Sequence, residues 1–75
     1  MLYLYTVQVH GPNDTSGILL IAAANAQDAR DIAAEWSKKG VGLLLCWFHE
    51  DPMYVLHIRV APQYRGVLQE IVLDE

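Results

Sequence analysis

The sequence predicts an α+β fold in ββαββα order, a two-layer sandwich with helices on one side of a sheet. Three observations carry this. Residues 2–10, "LYLYTVQVH", alternate strictly between two faces, the period of a strand. Residues 25–40 have the cap, apolar stripe and stop of a helix. Two apolar runs, 41–48 and 53–60, flank the turn-forming "HEDP", the pattern of an antiparallel hairpin.

In the first strand Tyr3, Tyr5, Val7 and Val9 alternate with Leu2, Leu4, Thr6, Gln8 and His10, which places the polar set on one face. "GPNDTSG", residues 11–17, consists almost wholly of turn formers and reads as a loop. "ILLIAA", residues 18–23, has no polar face and suits a central strand covered on both sides. Asn25 then stands where an N-cap belongs, and Asp28 follows three residues later near the positive end of the helix dipole. Ala29, Ile32, Ala33 and Trp36 share one helical face, Lys38 and Lys39 fill the last turn, and Gly40 stops it. The spacing predicts a helix over about 26–39.

With Glu50 and Asp51 at the tip of the hairpin, Trp47 faces Tyr54, Leu45 faces Leu56, and Leu43 faces Ile58. The opposite face then carries Leu44, Cys46, Phe48, Met53, Val55, His57 and Arg59, more apolar than a solvated face should be. Residues 62–75 admit two readings. Tyr64, Val67, Leu68 and Ile71 form a helical face with Pro62 in the first turn, and the helix is the favoured form. Alternatively "PQYRG" is a single turn ended by Gly66, followed by a fifth strand, "VLQEIVL". The whole order resembles a circularly permuted ferredoxin-like sandwich, which implies the strand order first, second, fourth, third.

Seventy-five residues predict one domain, 1–75. A chain of this size buries only ~60% of its unfolded surface and commonly needs a disulfide, a metal or a partner. One cysteine excludes an internal disulfide, and no Cys/His set has zinc-finger spacing. Self-association is the remaining help, in keeping with a composition that is 53% hydrophobic. A net charge of −4 and five scattered basic residues disfavour a phosphate backbone as partner. "MLYLYTVQVHG" lacks a basic region and a cleavage site, and no apolar run approaches ~18 residues, so neither a signal peptide nor a membrane span is expected. A lone cysteine in such a chain predicts the cytoplasm.

Several stretches bear on chemistry. "VAPQYRG", residues 60–66, resembles the start of the acetyl-coenzyme A loop of GNAT-family acetyltransferases, which implies a pyrophosphate cradle of backbone N–H groups at a helix start. The match spans seven residues, and Val67, Leu68 and Gln69 stand where further glycines belong, so a Pro-initiated turn is expected. His49, Glu50 and Asp51 do not form HExxH, because Met53 takes the second histidine's place; a solvated turn is expected. "NDTS" lacks calcium-loop spacing. His10 and His57, with a strand between them, are expected ~10 Å apart laterally and not to share a metal. Cys46 among apolar neighbours is expected to be inert, and a Cys46–His57 pair would lack a third orienting group. No cofactor and no metal are expected.

The expectation for function is a small acidic, non-catalytic interaction module or regulator, of the kind carried as inhibitors by phages and mobile elements. It would be a homodimer held by Leu44, Cys46, Phe48, Met53, Val55, His57 and Arg59, with room for a larger partner. Two alternatives stand beside it. One is a regulatory domain that resembles ACT-type effector-binding domains, although residues 22–25 lack the glycine expected between strand and helix. The other is a small dimeric enzyme similar to α+β-barrel monooxygenases and isomerases, with His57, Arg59 and Tyr5 lining its pocket.

Overall fold

The computed structural model describes residues 1–11, 16–39 and 48–73. Strands β1 (Leu2–His10) and β2 (Ser16–Ala23) form an antiparallel pair in register from Tyr3 opposite Ala23 to His10 opposite Ser16. Helix α1 (Ala26–Lys39) packs on one face of this pair, with the bounds its capping residues predict. The alternation of β1 explains the packing: Val7 and Val9, with Leu19 and Ile21 from β2, are almost wholly withdrawn from solvent beneath Ala29 and Ala33. Alanines at these positions let the helix axis lie close to the sheet, while Ile32 and Trp36 cover the flanks.

The N-terminus of α1 is closed by reciprocal side-chain bonds. Asn25 Oδ1 accepts from the Asp28 amide at 2.8 Å, and Asp28 Oδ2 accepts from the Ala24 amide at 3.0 Å. One orphan donor of the helix and the amide just before its cap are satisfied in this way, an arrangement related to the capping box.

The third and fourth strands depart from the expected hairpin. β3 (Phe48–His49) and β4 (Met53–Val60) both pair antiparallel with the outer edge of β1. The described end of the first arm therefore runs on in line with the second instead of folding back on it. The expected partners Leu43, Leu45 and Trp47 lie outside the described residues, as do residues 12–15 of the first loop. Tyr54 is opposite Tyr5. The predicted order of first, second, fourth, third becomes β3 and β4 on one edge, then β1, β2 and a fifth strand.

Two irregularities make this single edge possible. Residues 50–52 span the gap that only Val7 and Gln8 span on β1, and the Glu50 amide donates to the Gln8 carbonyl at 2.8 Å. Farther on, residues 55–58 lie opposite Leu4 alone, and within this bulge His57 has φ of 63°. Bulges of this kind shift the alternation of a strand and bend it. A phase counted from Met53 is therefore not the phase reached at Arg59.

The C-terminal segment is the turn and strand, and the helix that its apolar spacing predicts does not form. Pro62–Tyr64 forms one 3-10 turn, and β5 (Gly66–Leu73) pairs antiparallel with β2 from Ala22 opposite Gly66 to Ser16 opposite Leu73. Two facts explain the outcome. Gly66 has φ of +127°, a backbone state foreign to a helix. The otherwise bare edge of β2 offers the segment a full set of backbone partners, and Val67 packs on the core. The result is an α+β architecture: an antiparallel sheet four strands wide with one helix on one face.

Candidate functional site

The face of the sheet turned away from α1 carries apolar residues without a covering element among the described residues. Pairing carries Met53, Thr6, Leu20 and Gln69 across it in one row, and Gln8, Ile18 and Ile71 in the next. Leu4, Ile18, Leu20 and Ile71 are half-buried, whereas Met53 is 70% exposed at one edge. A dent of about 140 Å³ bounded by Thr6, Ile18 and Met53, with Gln8, Glu50 and Asp51 around it, marks the rim.

Of the seven residues expected on an interface, Leu44 and Cys46 lie outside the described residues, and with Cys46 goes the possible Cys46–His57 pair. Phe48 is opposite His10 on β1. Met53, opposite Thr6, stands on the open face. Val55 and His57 lie inside the bulge, half-buried and exposed respectively. Arg59 is opposite Tyr3, whose neighbours on its face pack against the core, and its Nη1 is 3.9 Å from Met1 Sδ. The structure thus unites Met53 with Leu4, Ile18, Leu20 and Ile71, four residues that the sequence does not place in the expected interface. The signal for the last was present in "VLQEIVL", but only if that segment is a strand.

The histidines are dispersed. His10 Nε2 and Glu50 Oε2 are 2.9 Å apart at the exposed end of β1. His49 is opposite Val9, and its buried Nδ1 has no hydrogen-bond partner among the described residues. His57 belongs to the strand next to β1, not to one beyond an intervening strand, but it lies near Leu4, six residues along β1 from His10. At ~3.3 Å per residue that is about 20 Å, too far for a shared ion. No group of three metal-ligating side chains occurs among the described residues. Glu50 and Asp51 are exposed, and Asp51 Oδ1 lies 3.4 Å from Arg30 Nη2.

Beside α1, Tyr3, Tyr5 and Tyr54 form an aromatic cluster. Tyr54 meets Tyr3 edge-on, with ring centroids 5.9 Å apart at 69°, and tilts against Tyr5 at 5.7 Å and 53°. A shallow depression of about 350 Å³ borders these rings and Ala24. Tyr5 is buried on the helix side of the sheet, so the sheet itself separates it from the open face.

The "PQYRG" turn serves a structural purpose in this fold. Arg65 reaches the helix N-terminus, where Nε donates to Asp28 Oδ2 at 3.1 Å and Nη2 donates to Asp28 Oδ1. A strand, not a helix, follows Gly66, so no helix start is available there for a pyrophosphate. The Arg65 hydrogen bonds, aided by the Ala24 amide, hold the Asp28 carboxyl below its ordinary range. A carboxylate whose folded value is depressed stabilises the fold above its unfolded value of ~4 and loses that contribution as pH falls through the folded value. Asp28→Asn should accordingly flatten the acid limb of stability below about pH 4. Thermal unfolding followed from pH 6 to pH 2 checks this; an unchanged limb in the variant would show the pair to be inert.

Comparisons with protein-family models, with curated proteins and with solved structures find no match. No helix among the described residues is long and apolar enough to cross a membrane.

Proposed function

We propose that this protein is a small acidic, non-catalytic interaction module that pairs with a second copy through the open face of its sheet. The observation that carries the reading is the set of apolar residues Leu4, Ile18, Leu20 and Ile71 on this face, interspersed with Thr6, Gln8 and Gln69 and with Met53 at its edge, left without a second layer among the described residues. A sheet covered on one face only is the half-finished form of a sandwich. Stacking a second sheet ~10 Å away completes it. Covering each large apolar side chain is worth roughly 1.5–3 kcal/mol by transfer, against the freedom lost on association. The net charge of −4 suits a basic target for the assembled dimer, which is how a small regulator would act on a larger partner.

Met53 is the informative position, because at 70% exposure it contributes little to the core of one subunit. Met53→Lys should leave the fold intact and weaken the dimer by at least about tenfold, the effect of ~1.4 kcal/mol. Sedimentation equilibrium of the two proteins at micromolar concentration checks this. A monomeric parent chain, or a variant that dimerises unchanged, would refute pairing through this face.

A further inference from the structure

Helix α1 lies over β2 with β1 and β5 on either side, and it leaves the helix side of the β1–β4 pair to Tyr3, Tyr5 and Tyr54. Tyr5 is 8% exposed, yet none of the three hydroxyls has a hydrogen-bond partner among the described residues. A buried tyrosine ordinarily finds a partner for its O–H. The Tyr5 hydroxyl is not one of the fully buried atoms that lack a partner, so it still reaches solvent. It does so at the depression of about 350 Å³ that the three rings and Ala24 border.

A cation stands beside these rings. Arg59 is opposite Tyr3, and residues paired in this way point to the same face. Arg30 and Arg65 are matched by Asp51 and Asp28. Arg59 is exposed and has no carboxylate within ion-pair distance among the described residues; its polar contact is the 3.9 Å approach to Met1 Sδ. Neither β1 nor β4 contains an aspartate or a glutamate, so Arg59 is the only permanent charge on these two strands. The local charge is positive although the chain as a whole is acidic.

We propose that Tyr3, Tyr5 and Tyr54 dock a proline-rich segment of a partner protein in the polyproline II form, with an aspartate or glutamate of that segment meeting Arg59. Aromatic walls with unpartnered hydroxyls suit a ligand that presents flat apolar rings and bare carbonyls. A polyproline II helix presents both, because it has no internal hydrogen bonds, and its fixed backbone costs little to order. Tyr3 and Tyr5 are two residues apart on β1, ~6.6 Å along a strand. Two residues of polyproline II span ~6.2 Å, so neighbouring prolyl contacts match the two rings. The depression is shallow, which suits a segment laid across it better than a small molecule enclosed by it. A quaternary ammonium would also meet aromatic faces, but Arg59 would repel it. The sheet separates this site from the open face, so it stands whether or not the protein pairs there.

Three synthetic peptides test this against the isotope-labelled full chain by NMR. The first is a run of prolines ending in aspartate, the second has lysine for the aspartate, and the third has alanine for each proline. The first is expected to shift the ring signals of Tyr3, Tyr5 and Tyr54 and the Nε–H of Arg59. The lysine peptide should bind about two- to fivefold more weakly, the effect of an exposed ion pair. The alanine peptide, which must first be ordered, should bind at least about tenfold more weakly. In Arg59→Gln, an exposed position outside the core, the aspartate and lysine peptides should bind alike. No binding of the first peptide at millimolar concentration, or undiminished binding of the alanine peptide, would overturn the proposal. So would an aspartate preference that survives in Arg59→Gln, or shifts confined to Leu4, Ile18 and Leu20. Ring shifts produced by tetramethylammonium chloride alone would overturn it in favour of a cation site.

Discussion

Leu19→Ala is expected to cost about 3–5 kcal/mol, the upper part of the range for a leucine deleted from a closed core. Leu19 has no solvent exposure; it lies on the central strand β2 beneath α1, with Val7 opposite it on β1. A site flanked on both sides by strands cannot collapse easily, so most of the cavity would persist. At 0.05–0.15 kcal/mol per residue the whole domain holds only about 4–11 kcal/mol, so the variant should sit near its unfolding midpoint. Urea unfolding followed by far-ultraviolet circular dichroism checks this. A midpoint within a few tenths of a molar of the parent would mean that Leu19 does not bear the helix.

Trp36→Ala should cost about 2–4 kcal/mol, somewhat below the range for a wholly buried tryptophan. Trp36 covers the flank of the core but is only half-buried, and its indole N–H donates to Glu70 on β5. Trp36→Phe separates the two contributions. It keeps the aromatic cover, loses the bond to a carboxylate, and should cost about 1.5–3 kcal/mol or less, given the partial exposure. If phenylalanine proved as damaging as alanine, the bond to Glu70 would outweigh the packing. If neither substitution moved the urea midpoint, α1 would not clamp β5.

The features that were legible in the sequence are those set by neighbouring residues. Asn25, Asp28 and the stripe of Ala29, Ile32, Ala33 and Trp36 all lie within four turns of one helix, and the helix has the bounds they imply. The alternation of β1 likewise specified its buried face. What could not be read locally was decided by distant strands. "VLQEIVL" carries both a helical and a strand pattern, and the free edge of β2 chooses between them. The face of Arg59 depends on a bulge at residues 55–58 that four consecutive apolar-or-histidine positions do not announce. An open face is expected from the sequence, but its residues are misassigned for the same reason: it is assembled largely from β1, β2 and β5, and the third of these is the less favoured reading of its segment.

The way the sheet's edges are filled has a temporal consequence. Leu2 pairs with Val60, and Ser16 pairs with Leu73, so both flanks of the β1–β2 pair are supplied by the last third of the chain. During synthesis the segment from β1 to α1 emerges with its local contacts satisfied, but with two bare edges. The β1 edge cannot close fully until residue 60 has left the ribosome, and the β2 edge not until residues 66–73 have followed. Contacts of such wide sequence separation form late and slowly, and unpaired edges invite intermolecular pairing in the interval. For this chain, the interval of greatest aggregation risk begins when α1 is complete and ends when β5 docks.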